Sequence, residues 1–230
     1  MSSAPAALKF ITLPARTTHT ATIIFSHGLG DTGEGWRPVA HMLGSQLPHV
    51  KWILPHAVEM PVTVNGGMVM PAWFDIFSLG KSDDREDEEG ILRSSAAINQ
   101  LIKAENDAGI PNERSTSCGL IPSRSRALLV TGLTSEKKFA GVAILSGWLP
   151  MRDRLMKMLS SDATTTPVFW GHGTADPVVP YRFGAGSVQI LKDKAGFKDI
   201  DFKPYQGMGH STDNQEIIDF SAWLKRVIPQ

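Results

Sequence analysis

Short runs of apolar, β-branched residues recur along this chain, each stopping at glycine or proline and separated by stretches of helical spacing. That alternation restricts the fold more than any other feature. Thr22 to Phe25 runs into Ser26-His27-Gly28-Leu29-Gly30, which reads as a buried strand entering a glycine-rich turn. Val39, Ala40, Leu43 and Leu47 fall at helical spacing within Trp36 to Leu47, and Val50 to Leu54 reads as the next strand, stopped by Pro55. Ala140 to Ser146 and Thr166 to Gly173 read as two further buried strands, Asp201 to Tyr205 as a last one, and Asn214 to Val227 as a closing amphipathic helix. Strands alternating with helices imply an α/β fold, with a mainly parallel central sheet and helices on both faces. A chain of 230 residues suits one core of this kind, so a single domain over residues 1–230 is expected.

The charge balance excludes several classes of function. Lysine and arginine number 23, as do aspartate and glutamate, and nothing in that balance points to nucleic acid or an acidic surface. Cys118 is the only cysteine, so neither an internal disulfide nor a cysteine-rich zinc pattern is available, and a reducing compartment is expected. Met1 to Phe10 lacks the charged start and apolar stretch of a leader, and no later run approaches the roughly 20 apolar residues of a transmembrane segment. A cytoplasmic protein is expected, with the nucleus also open to it. The acidic run Ser82 to Glu89 precedes a helical pattern and reads as carboxylates at a helix start rather than as a metal site. From His56 to Gly80 the chain is rich in methionine, proline, glycine and aromatics, and reads as a long structured excursion over the sheet.

Two polar residues follow late strands. Asp176 lies in Gly171-His172-Gly173-Thr174-Ala175-Asp176-Pro177, and His210 in Gly207-Met208-Gly209-His210-Ser211. Their order, acid then histidine, matches the nucleophile, acid, base order of α/β-hydrolases. There the histidine takes a proton from a serine hydroxyl while the carboxylate fixes its tautomer. The turn His27 to Gly33 exposes backbone amides, with the Leu29 N–H as the candidate oxyanion donor. It lacks the spacing of a P-loop or a dinucleotide fingerprint.

Taken together the motifs resemble the acyl-protein thioesterase and lysophospholipase family of serine esterases. F-S-H-G-L-G-D-T-G-E-G-W, M-P-A-W-F-D-I, E-D-E-E-G-I, L-S-G-W-L-P, H-G-T-A-D-P-V-V-P and Y-Q-G-M-G-H-S occur in family order from about Thr22 to His210. The resemblance implies a single-domain α/β-hydrolase that works without metal or organic cofactor. It assigns acid and base roles to Asp176 and His210, with S-acylated proteins, and lysophospholipids beside them, as substrates. Met60, Val62, Val64, Met68, Met70, Trp73, Phe74 and Trp148 are candidates for an acyl channel, methionine being well suited to an alkyl chain; core packing is the competing expectation for the same residues.

One segment departs from the family. Its nucleophile elbow, G-F-S-Q-G-G-A, is expected between Arg114 and Ala140, but Ser115 to Leu129 contains no G-x-S-x-G and is polar where a buried strand is expected. As the chain stands, Ser123 is the candidate nucleophile, Ser125 the next serine along and Cys118 the available thiol. The genetic code supplies another account. Cys118 to Ser125 can be encoded so that reading one nucleotide later gives Ala-Gly-Leu-Ser-Gln-Ala-Gly, an elbow of the family type, which suggests a shifted frame or misplaced splice from about Ser115 to Ala127. A family member that binds acyl chains without turnover is the remaining alternative.

Overall fold

A computed structural model describes residues 7–78, 85–120 and 125–230. In chain order its elements are β1 (Phe10–Leu13), β2 (Ala21–Ser26), α1 (Gly33–Gln46), β3 (Val50–Pro55), β4 (Val58–Val62), β5 (Met68–Ala72), α2 (Glu88–Asp107), β6 (Ser115–Leu120), α3 (Ser125–Thr134), β7 (Gly141–Leu145), α4 (Arg152–Met158), β8 (Val168–Gly173), α5 (Tyr181–Asp193), β9 (Ile200–Tyr205) and α6 (Asn214–Val227). Seven of the strands form one sheet in the order β1-β3-β2-β6-β7-β8-β9. β1 runs antiparallel to β3 at one edge, and every other pairing in this sheet is parallel. This is the mainly parallel, helix-covered sheet that the alternating pattern implied, and the single-domain α/β-hydrolase fold that the family resemblance implied.

Alternation along each strand divides the core in two. On β2, Ile24 faces one apolar cluster while Ile23 and Phe25 face the other; on β8, Trp170 and Phe169 divide in the same way. The first cluster lies under α2, α3 and α5, where Ile98, Leu128 and Leu191 are buried. The second lies under α1 and α6, whose Trp36, Leu43, Phe220 and Trp223 pack onto Phe25 and Phe169. Phe25 meets Trp36 at a centroid distance of 4.6 Å and Phe169 meets Trp223 at 5.9 Å, so aromatic pairs fix how these helices sit on the sheet.

The polar run at Ser115 forms a central strand after all. β6 pairs Thr22 with Ser115 on one side and Thr116 with Gly141 on the other. Backbone hydrogen bonds to two flanking strands hold it even though Ser115, Thr116 and Ser117 are polar residue types. Ser115 and Thr116 are buried, and the Thr116 hydroxyl has no partner among the described residues.

The excursion after β3 contains regular structure that composition concealed. β4 and β5 form a separate antiparallel hairpin, Val58 opposite Ala72 and Val62 opposite Met68. Glu88 and Glu89 open α2 as read, behind Asp87, whose side chain accepts from the Gly90 N–H at 2.9 Å. Ser82 to Asp84 of the acidic run lie outside the described residues. Among the described residues, no helix is long and apolar enough to cross a membrane.

Topology decides where chemistry can sit. From β2 the chain steps to β3 on one side and later returns to β6 on the other, so the strand order reverses between β2 and β6. The carboxyl ends of parallel strands beside such a reversal form the crevice in which α/β folds bind ligands.

Candidate active site

Beyond β2, the turn from His27 to Gly30 stands at that crevice. Gly30 adopts a φ of 74°, a left-handed conformation that glycine accepts without steric penalty. The hairpin pins the turn, because the Gly30 N–H donates to the Pro71 carbonyl at 3.1 Å and the Trp73 indole N–H donates to the His27 carbonyl at 3.3 Å. His27 is fully buried and braces it further. The Ala57 N–H donates to its Nε2 at 3.0 Å, which leaves Nδ1 as the protonated nitrogen, donating to the Gly28 carbonyl at 2.7 Å. The Leu29 N–H has no acceptor among the described residues.

The loops after β8 and β9 are laced together. Thr174 N–H donates to the Tyr205 carbonyl, Ala175 N–H to the Met208 carbonyl, and Gly207 N–H to the Thr174 hydroxyl. Gly207, with a φ of 74°, turns the second loop back toward the first. Residues 34 positions apart are thereby joined: His210 Nδ1 donates to Asp176 Oδ2 at 2.7 Å.

Asp176 is buried, and its other oxygen, Oδ1, accepts from the Val178 and Val179 N–H groups at 2.9 and 2.8 Å. Burial pushes its carboxyl up, but the His210 hydrogen bond and these amides outweigh that, and the group lies below the usual carboxylate range. The acid is therefore an anion at neutral pH. It fixes the His210 proton on Nδ1 and leaves Nε2 as the basic nitrogen, which has no partner among the described residues.

Ser123, together with Ile121, Pro122 and Arg124, lies outside the described residues. In the sequence these residues follow β6 and precede α3.

The acyl-channel candidates separate by environment. Trp73 and Phe74, 2% and 1% exposed, belong to the core cluster, whereas Met70 and Met60 pack at its margin. Met68 and Val69, at the hairpin tip, are 63% and 60% exposed. The Met70 sulfur lies beside Gly30, and the Asn65 side-chain amide donates to it at 3.2 Å. Trp148 is half-buried, 6.4 Å from the Phe183 ring of α5.

Two residues gain significance only in three dimensions. Ser146, directly after β7, holds a φ of 53°, uncommon for a residue with a side chain and a form of strain that clusters at functional sites. His172, inside the H-G-T-A-D motif, is fully buried and donates through Nε2 to the Val179 carbonyl at 2.9 Å. The one signal in the sequence was a histidine four residues before the acid. Among the described residues, no group of three or more histidine, cysteine, aspartate or glutamate side chains is arranged to hold a metal ion.

Comparison with known proteins identifies the family of the chain. The sequence profile of the phospholipase/carboxylesterase family matches residues 8–228. Acyl-protein thioesterase 1 of Cryptococcus neoformans is 47% identical, covering 97% of this chain and 99% of the relative. Acyl-protein thioesterase 1 of Yarrowia lipolytica is 39% identical over 96% and 97% of the two chains. Among solved structures, Arabidopsis thaliana SOBER1 superposes with a TM-score of 0.85 at 34% identity, over 91% of this chain and 99% of its own. Zea mays acyl-protein thioesterase 2 superposes with a TM-score of 0.83 at 30% identity, over 96% and 99%. With its fold, the order of its loops and its near-complete alignment all in agreement, this chain belongs to the phospholipase/carboxylesterase family.

Proposed function

We propose that this protein is a serine hydrolase that releases long-chain acyl groups, palmitoyl among them, from cysteine thioesters of proteins. The observation that carries this proposal is the Asp176 to His210 hydrogen bond of 2.7 Å, which leaves the basic Nε2 without a partner among the described residues. The acyl-protein thioesterases among its relatives support the thioester as substrate.

Catalysis proceeds in two stages. A serine from the residues joining β6 to α3, with Ser123 as the candidate in this chain, attacks the thioester carbonyl as His210 Nε2 takes its proton. The Leu29 N–H and the amide following the nucleophile stabilise the tetrahedral oxyanion. His210 then protonates the departing cysteine thiolate, leaving an acyl-serine. Water, deprotonated by the same nitrogen, attacks that ester; the carboxylic acid leaves and the serine regains its proton.

Within the same proposal, Met68, Val69 and Met70 offer an apolar track from the hairpin tip to the oxyanion turn, suited to an acyl chain. Lysophospholipids present the same acyl carbonyl through an oxygen ester and are second substrates. A single cysteine, Cys118, fits action in the cytoplasm and nucleus.

The test is hydrolysis of a palmitoyl-cysteine peptide by the chain as it stands, and by a chain in which residues 118–124 are replaced by Ala-Gly-Leu-Ser-Gln-Ala-Gly. Turnover by the first, with a fluorophosphonate probe labelling Ser123, supports that serine as nucleophile. Turnover only by the second supports the shifted frame. Binding of the acyl chain without turnover in either would overturn the proposal.

A further inference from the structure

The Asp176 side chain does not hold itself in place. Its Oδ1 is gripped by the Val178 and Val179 amides, so its direction depends on where residues 176–179 lie. The Val179 carbonyl, on the other side of the same peptide segment, accepts from His172 Nε2 at 2.9 Å. His172 is the penultimate residue of β8 and sits in register opposite Pro204 of β9, so its donor is anchored in the sheet itself.

The ring has little freedom. A Cβ at position 184 would collide with His172 Nδ1, so glycine in α5 is what admits the imidazole, and Tyr181 meets it edge-on at a centroid distance of 5.8 Å. Nδ1 has no partner among the described residues. Proton placement follows: Nε2 carries the hydrogen that Val179 accepts, and a second proton on Nδ1 would have no acceptor beside Gly184. Burial opposes the charged form, as does the neighbouring His210, while the Val179 carbonyl and Asp176 favour it; the balance lowers the pKa from its ordinary value, and the ring is neutral at pH 7. A neutral ring at 3.8 Å from Asp176 Oδ2 does not compete with His210 for the carboxylate.

We propose that His172 is a positioning residue: by holding the Val179 carbonyl it sets the loop that aims Asp176 at His210. The inference rests on the acid and base roles proposed above for Asp176 and His210. A buried histidine used only to fill volume would need neither a particular tautomer nor a donor.

The test uses the full chain, with His172→Phe, which keeps ring volume and removes the donor, and His172→Gln, which offers an amide donor near the Nε2 position. One readout is the NMR resonance of the His210 Nδ1 proton, whose hydrogen bond to a carboxylate moves it far downfield. The other is the kinetics of thioester hydrolysis. H172F is expected to lose or shift the resonance and to lower kcat about tenfold, the worth of one net hydrogen bond, with KM within about twofold. H172Q is expected to retain the resonance and to keep kcat within about threefold of the parent. An unchanged resonance in H172F, or equal loss in the two folded variants, would overturn the proposal. If H172F does not fold, nitrogen couplings in the unmodified protein still decide it: a His172 proton on Nδ1 at neutral pH overturns the proposal, and an exchange-protected Nε2 proton supports it. An unmodified chain inactive on thioesters would count against the proposed reaction while leaving both NMR readouts to judge His172.

Discussion

Two buried acids close to the same strand ends are treated in opposite ways. Asp176 is surrounded by donors and held ionised, whereas Glu216, on the first turn of α6, is buried against Gly171 with neither carboxylate oxygen partnered among the described residues. Burial, and after it the nearby Asp213 and Asp219, raises Glu216 from 4.5 to about 8. Unfolding between those values releases a proton that the folded state holds. The folded state is therefore penalised progressively as pH rises from 4.5 to about 8, and the penalty is constant above that and absent below 4.5. Glu216→Gln, neutral throughout, is expected to match the parent closely at pH 4.5 and to exceed it at pH 8.5 by on the order of 5 kcal/mol, read by urea unfolding at the two pH values. Equal stability at both would mean that Glu216 finds a compensating partner. At Asp176 the expected consequence is kinetic. Asp176→Asn preserves shape but no longer selects the Nδ1–H tautomer of His210, and kcat for thioester hydrolysis should fall about 10⁴-fold, with circular dichroism unchanged.

At the scale of elements, the turn proposed to hold the oxyanion depends on the hairpin that crosses it. Gly30, with φ at 74°, donates to Pro71 of β5. Gly30→Ala places a side chain in the left-handed region at a cost of about 1–2 kcal/mol. The chain can relieve that cost by rotating the turn, which moves the Leu29 N–H away from the oxyanion. A kcat lower by about 10²-fold with little change in KM is expected in steady-state assays, and an unchanged kcat would remove Leu29 from the mechanism. The same elements show how much could be read from residues alone. β2, β3, β7 and β8 were legible because they are nearly all buried and hence apolar throughout. β1 was not, since only Leu13 of its four residues is buried and the rest lie along the sheet edge. β4 and β5 each contain a proline and bury little, so neither apolar alternation nor propensity marked them. α5 carries glycines at 184 and 186, which weaken any helical pattern, and one of them makes room for His172. The site divided along the same line. Asp176 and His210, proposed as acid and base, could be picked out because they follow recognisable strands, while His172 depends on contacts made across α5 and the loop after β8, which no spacing along the chain encodes.

The molecule as a whole is a sheet shared by two cores, and that sharing has a thermodynamic consequence. Neither layer of helices has a surface to bury against without the parallel strands, and those strands depend on being covered on both faces. β8 illustrates the coupling: Phe169 belongs to one core and Trp170 to the other, on adjacent residues of one backbone. The lacing between the loops after β8 and β9, which brings His210 to Asp176, hangs from the same strands. Loss of either core should therefore remove the site at the same denaturant concentration as it removes the far layer. Leu43→Ala on α1 and Ile98→Ala on α2 each delete a fully buried side chain, one in each core, and each should cost about 2–5 kcal/mol. These residues lie on opposite faces and in separate clusters, so the double variant should lose the sum of the two costs within about 0.5 kcal/mol. Urea titrations followed by tryptophan fluorescence and by the His210 resonance should give one coincident transition in all variants. Two separated transitions, with the His210 resonance surviving after one layer has melted, would show that the cores unfold independently and that the active-site loops need only one of them.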